Sequence, residues 1–229
     1  MKNEQSLVTR VIRKLKWFFL ALLIFIVEQL PLLFIRKNQP LWQILLLASI
    51  IIVMVGGVYY LARRINLLGN RLLPKDENRF LWIMVGTLAL FVVKLIGGFL
   101  LVLENGQNAN TANQAAIENA QLHPVFIVLI LTIMAPVVEE IVFRGLLYGK
   151  LFGTESYVGL VFSSILFGLI HMLTDLSSLG SWFIYGGMGL VLGFIYHKTK
   201  KLEYTILVHF LNNGIAVLLM WLLPYLTKR

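Results

Sequence analysis

Cysteine is absent from all 229 residues. That excludes disulfide bonds, a thiol nucleophile and any zinc or iron–sulfur site built on thiolates. Charge is scarce too: 14% of residues are Asp, Glu, Lys or Arg, where a soluble domain carries roughly a quarter. With 59% hydrophobic residues and a mean hydropathy of +0.82, the chain has too little polar surface to cover a water-facing globule. Soluble enzymes, disordered regulators and fibrous proteins are excluded, which leaves an integral membrane protein. Acidic residues number 11 against 20 basic ones, a formal net charge of +9. This excess does not point to nucleic acid, because most of the basic residues flank apolar runs, as topology signals do.

Apolar runs near the roughly 20 residues needed to cross a bilayer recur at about 17–35, 41–61, 80–103, 124–148, 157–176, 181–197 and 202–223. No period-two alternation supports a barrel, so all should be helices. The expected fold is all-α, a polytopic membrane bundle of about seven to eight transmembrane helices. The first run follows Arg10, Arg13, Lys14 and Lys16 as a secretory leader would. Its length, Glu28 and the lack of a small-x-small cleavage site make it a retained anchor. With a cytoplasmic N terminus, fourteen Lys and Arg residues fall on inner segments and four (Arg36, Lys37, Lys228, Arg229) on outer ones, with Lys94 and Arg144 inside runs. Positive-inside counting therefore places the N terminus of this multi-pass protein in the cytoplasm. The stretch Glu104–His123 has no basic residue and reads as an outer polar loop with a short surface helix. Gly69–Arg79, with Pro74, is the other substantial loop. It divides an N-terminal segment with the first membrane helices (1–79) from a core (80–229) whose chemistry lies within 124–223.

Ionisable residues inside a membrane helix cost a few kcal/mol each even on lenient scales, so they mark where to look. The first group is Glu139, Glu140 and Arg144 in an otherwise apolar run. Glu140 and Arg144, four apart, share a face and can pair, while Glu139 points about 100° away, free to face a cavity. Pairing one carboxylate with arginine keeps it charged and leaves its neighbour suited to taking a proton. Pro136 loosens the backbone one turn earlier. Taken alone, the group also fits a structural salt bridge beside an interfacial glutamate. The second group is Phe167 with His171, and the third His209 with Asn213, each pair on one helix face. Alone, each also fits packing or interhelical hydrogen bonding. Together, Glu139, His171, His209 and Asn213 supply a base, two imidazoles and an amide donor, the parts of a water-activating hydrolytic site.

Glu-Glu-x-x-x-Arg at 139–144, Phe-x-x-x-His at 167–171 and His-x-x-x-Asn at 209–213, in that order, resemble the three signature motifs of the CPBP intramembrane proteases. That family includes the type II CAAX-processing endopeptidases and the bacterial Abi group tied to bacteriocin immunity. The resemblance covers residues 124–223. It implies that Glu139 activates the attacking water with His171, that His209 and Asn213 bind the oxyanion, and that Glu140, Arg144 and Phe167 support the site. It further implies an intramembrane endopeptidase of a bacterial plasma membrane, acting near the cytoplasmic side on a membrane-associated peptide or protein. A bacteriocin, a signalling-peptide precursor or a bacteriocin target fits better than a prenylated CAAX protein.

One Glu and two His (Glu139, His171, His209) also make a known catalytic zinc set with an open position. The His-Glu-x-x-His helix is absent, however, and each ligand comes from a separate helix. A metal-free glutamate mechanism is favoured and no cofactor is expected. Two other functions use the same residues differently: a bacteriocin self-immunity protein that binds without cutting, and a transporter relaying protons through buried Glu and His. The remaining features have simpler readings. Gly189-x-x-x-Gly193 with Gly186 and Gly187, Gly56–Gly57 and Gly97–Gly98 read as helix-packing faces. Glu28 and Lys94 either pair or line a cavity, and His123 caps the fourth run. His171 falls near the far end of its run, which would need a helix extending past Leu179 or one that tilts and kinks.

Overall fold

In the computed structural model, residues 2–71, 77–106 and 109–226 are described. Pro74 and Lys75 of the expected loop, and Lys228 and Arg229 of the charge count, lie outside them. The chain forms α1 (Lys2–Gln29, prolonged by a 3-10 turn, Pro31–Phe34), α2 (Leu41–Arg64), α3 (Arg79–Asn105), α4 (Ala112–Asn119), α5 (Pro124–Lys150), α6 (Tyr157–Ile170), α7 (Leu179–Thr199) and α8 (Leu202–Leu226). No strand occurs among the described residues. The protein is an all-α polytopic bundle. Six helices are long and apolar enough to cross a membrane, and α6 is a shorter apolar one. α4 is the short surface helix of the polar loop, opened by Thr111, whose hydroxyl accepts from Gln114 N (3.1 Å).

α5 is the axis of the bundle. In its most apolar window 67% of residues are buried, against 22% in α1 and α3, so its charged residues face protein rather than lipid. α1 packs on its second half, α2 and α8 on its first half, and α6 on its last turns; α3 lies outside, against α7 and α8. α5 opens on Pro124, capped by His123 as expected, with Nδ1 accepting from Val125 N (3.3 Å). It is not uniformly α. Residues Ile127–Met134 and Ile141–Lys150 are wound in the wider i→i+5 form, with an α turn at Ala135–Glu140 between them. Wide turns of this kind cluster at functional sites.

α6 departs from its expected span. It starts at an N-cap, Ser156, which accepts from Gly159 N (3.1 Å), and stops at Ile170, fourteen residues later, with His171 as its C-cap. It is about 21 Å long, short of the roughly 30 Å hydrocarbon core. The run drawn to 176 neither continues past Leu179 nor kinks. Instead the chain leaves the helix at His171 and returns through residues 172–178 to α7. Non-helical backbone at this depth is tolerable only where protein satisfies it. Here Met172 N and Asp175 N find carbonyls, Trp182 Nε1 donates to Leu176 O (3.0 Å), and Ser178 Oγ donates to Glu104 of α3 (2.9 Å).

Glycine lets α7 close on α6: a Cβ on Gly189 would lie 2.6 Å from Ser164 O. Gly97, Gly180, Gly186 and Gly187 likewise sit against neighbouring elements, but a Cβ on Gly56, Gly57 or Gly98 would meet nothing within 4 Å. The packing role expected of Gly56–Gly57 and of Gly98 is therefore wrong, because Gly56 and Gly57 face outward and Gly98 borders the cavity described below. A methyl-sized intrusion at Gly189 must push two packed helices apart, at roughly 1–3 kcal/mol or more. Gly189→Val should accordingly lower the melting temperature of the detergent-solubilised protein well below that of Gly56→Ala, which should stay within about 0.5 kcal/mol of wild type; equal melting of the two variants would contradict the close approach.

Candidate active site

The three sequence groups meet at one place. Glu140 and Arg144, both fully buried, form an ion pair with Arg144 Nη1 donating to Glu140 Oε1 at 2.8 Å. Arg144 Nη2 donates to the carbonyl of Gly189 on α7 (3.0 Å), and its guanidinium lies 4.4 Å from the Phe167 ring centroid on α6. Glu140 Oε1 also accepts from His209 Nδ1 on α8 (3.1 Å). One ion pair thus ties α5 to α6, α7 and α8. Because Glu140 Oε1 is an acceptor for both partners, His209 Nδ1 carries a proton. For His209 to donate from Nε2 as well, its ring must hold both protons, with Glu140 as its counterion.

Glu139 points the other way, as its 100° offset requires. His171 Nε2 lies 3.8 Å from one of its oxygens and His209 Nε2 3.9 Å from the other. These gaps exceed a direct hydrogen bond and suit a bridging water. His171 Nδ1 donates to the Phe167 carbonyl (2.9 Å). A carbonyl only accepts, so Nδ1 holds a proton, and Nε2 is the nitrogen that faces Glu139. The short α6 is what brings His171 to the depth of Glu139. Phe167 is fully buried between Arg144, His171 and His209, its centroid 4.7 Å from the first imidazole and 5.8 Å from the second.

Asn213 is held by a consequence of Pro136. The i→i+5 winding continues through Ala135, whose N–H bonds Ile130 O. The next bond in that register would join residue 136 to Leu131 O, but proline has no N–H. Leu131 O instead accepts from Asn213 Nδ2 (2.8 Å). Asn212 Nδ2 donates to Asn213 Oδ1 (2.9 Å), so the carboxamide is pinned at both ends and keeps one N–H to spare.

A cavity of about 840 Å³ joins these groups, with Glu139, His171, His209 and Asn213 in its wall. It reaches beyond the motifs to Phe25, Glu28 and Leu32 of α1, Lys94 of α3, and residues 109–122 between α3 and α5. Glu28 and Lys94 both line the cavity, and no ion pair between them occurs among the described residues. Residues 109–122, which wall it, follow the C-terminal end of α3. The N-terminal half of α1 lies at the opposite end, where Lys150 Nζ sits 5.5 Å from the Trp17 ring. Sequence reasoning missed Asn212 and Tyr185: the first is a second amide in the third motif, the second an interior tyrosine with no local signal.

The comparisons agree with this geometry. Residues 121–215 match the family model described as type II CAAX prenyl endopeptidase, Rce1-like. The membrane-embedded CAAX protease MroQ of Staphylococcus aureus is 24% identical over 92% of this chain and 91% of its own. The UPF0177 protein YvdC of Lactococcus lactis is 28% identical over 84% of this chain and 74% of its own. YdiL of Bacillus subtilis is 27% identical over 79% and 72%. No solved structure gives a significant match. The chain is a multi-pass membrane protein similar to proteins described as membrane proteases. The similarity to that family lies in residues 121–215, which hold all three motifs.

The Pro136–Leu131–Asn213 arrangement makes a signed expectation. Asn213→Ala leaves the Leu131 carbonyl without a donor inside the bundle, which should cost about 1–3 kcal/mol. Pro136→Ala restores an N–H one wide turn away. It should therefore be distinctly less damaging, or stabilising, in the Asn213→Ala background than in the wild type. Unfolding of the four proteins in mixed micelles measures this coupling, and strictly additive effects would refute it.

Proposed function

We propose that this protein is an intramembrane endopeptidase that hydrolyses a peptide bond in a membrane-associated peptide or protein with water activated by Glu139. The observation that carries the reading is the Glu139 carboxylate facing two imidazole Nε2 atoms, at 3.8 and 3.9 Å, in the wall of a shared cavity. Glu139 takes a proton from water, with His171 Nε2 orienting it, and the hydroxide attacks the amide carbonyl carbon. The oxyanion that forms accepts from His209 Nε2–H and the spare N–H of Asn213. Donors so placed are worth about 3 kcal/mol each. Glu139 then delivers its proton to the amide nitrogen, and the C–N bond breaks to release an amine and a carboxylate. Glu140, anchored by Arg144, holds the His209 ring in place through its Nδ1–H.

A zinc reading uses Glu139, His171 and His209 as ligands. Among the described residues no group of three His, Asp or Glu side chains is arranged to hold a metal ion, and no step above is routed through one. The name of the relative MroQ supports proteolysis. The Abi resemblance supports a setting in bacteriocin immunity or peptide maturation at a bacterial plasma membrane. In that setting the substrate is a bacteriocin or a tethered peptide precursor. A self-immunity protein that binds without cutting would use the same cavity and would not need the Glu139 base.

Glu139→Gln keeps the shape and removes the base. In purified protein it should lower peptide hydrolysis by about 10²–10⁴-fold with an unchanged melting temperature, and chelator should leave the wild-type rate unaffected. Immunity that persists in a well-expressed Gln variant would favour the binding reading. A chelator-sensitive rate restored by zinc would favour the metal.

A further inference from the structure

His171 is the C-cap of a truncated helix, so the backbone beyond it gives its ring no helical support. The ring is held from the side instead. Phe167 lies against it at 4.7 Å, and Tyr185 of α7 stacks on it nearly parallel, centroids 4.9 Å apart and planes at 18°. Tyr185 is itself buried, and its hydroxyl is fixed from a third direction. Thr111 Oγ1 lies 2.8 Å from it and Asn113 Nδ2 donates to it at 3.3 Å. Both partners belong to the connection between α3 and α5, where Thr111 is also the N-cap of α4. Ala109, Ile117 and Leu122 of that connection face the same cavity as His171. One tyrosine therefore touches both the imidazole and the segment that walls the cavity.

We propose that Tyr185 is a positioning residue for His171, latched by Thr111 and Asn113, so that the ring is aligned with Glu139 when the 109–122 segment is seated over the cavity. The inference rests on the reading of His171 as the partner of Glu139 in activating water. A stacked ring confines His171 to a narrow range of rotation about its Cβ–Cγ bond while leaving Nε2 open. A hydrogen bond to Phe167 O alone permits the ring to swing on that contact. Lifting the 109–122 segment to admit a peptide breaks the two bonds to the Tyr185 hydroxyl and frees the clamp. Reseating it restores the clamp and returns Nε2 to Glu139.

The test is modification of the full-length protein in detergent micelles by diethyl pyrocarbonate, with each histidine quantified by mass spectrometry. The reagent attacks an unprotonated imidazole nitrogen, which in the neutral form of His171 is Nε2. The exposed His123 gives the reference rate, and the buried His209 reports general loosening. Tyr185→Leu removes clamp and latch and should raise His171 labelling several-fold with His209 unchanged. Tyr185→Phe keeps the ring and loses the latch, so it should give a smaller rise. Thr111→Val should give a rise no larger than that, and the double variant should not exceed Tyr185→Phe. The same Phe variant should lower turnover of an internally quenched apolar decapeptide pool more than it weakens binding of the pool. Unchanged His171 labelling in Tyr185→Leu, or an equal rise at His209, would overturn the proposal. If wild-type protein cleaves no peptide while the labelling pattern holds, the protease reading fails and the latch stands.

Discussion

The site depends on one ion pair that the bilayer makes obligatory. Arg144 and Glu140 are both fully buried, and either alone at that depth would be an uncompensated charge, a loss of about 3–5 kcal/mol once its partner is removed. The neighbouring helices supply further partners to the pair, although Glu140 Oε2 and Arg144 Nε are left without one. Gly189 O takes the second guanidinium nitrogen, and His209 Nδ1 donates to the carboxylate. The Phe167 face lies against the cation, a contact worth more where water is excluded. Electrostatic satisfaction of a buried pair thus does what a hydrophobic effect cannot do among helices already in lipid. It fixes the relative rotation of α5, α6, α7 and α8. Glu139, Phe167, His171 and Asn213 are aimed as a consequence.

Two breaks in helical regularity complete the geometry, and both are costs accepted at membrane depth. Widened winding before Pro136 leaves a carbonyl that only a side chain can reach, and Asn213 reaches it. The early stop of α6 exposes backbone within the bundle, and the 172–178 segment is then satisfied by its own turns, by Trp182 and by Glu104. Glu104 does further duty, accepting from Leu179 N and Gly180 N at the start of α7 (2.7 and 3.1 Å). A carboxylate at a helix N terminus is favourable in its own right. Here it also ties the end of α3 to the loop that His171 opens.

Much of this was legible in the sequence because the solvent restricts the choices. A segment in lipid is helical or part of a closed barrel, so apolar runs located most helices to within a few residues, although α1 begins at Lys2, well before the run drawn from 17. The fifth run was another exception. Its hydropathy continues through Met172 and Leu173, and nothing in composition distinguishes a helix that ends inside the bundle from one that crosses. The i, i+4 spacing of Glu140 and Arg144 foretold their pairing. By contrast, the bonds from Arg144 to Gly189 and from Asn213 to Leu131 join residues 45 and 82 positions apart. Such contacts follow from packing alone. The glycines show the same limit. Gly189 and Gly56 are equally small in the sequence, and only the neighbour of the first makes smallness necessary.

The matched family region begins at residue 121, yet the cavity does not. Phe25, Glu28 and Leu32 of α1, Lys94 of α3 and the 109–122 segment make up the wall that faces Glu139 and the histidines. Glu28 is 3% exposed, one of its oxygens has no hydrogen-bond partner, and it lies within electrostatic reach of Glu139. In the proposed function the motif residues act on the amide, which every peptide shares, while this wall meets the rest of a bound chain. Reaction and selection therefore reside in different parts of the chain. The three motifs on α5, α6 and α8 are constrained by one ion pair and its hydrogen bonds. The helices before them close the cavity, and in the proposed function that is where differences in what is cut are encoded.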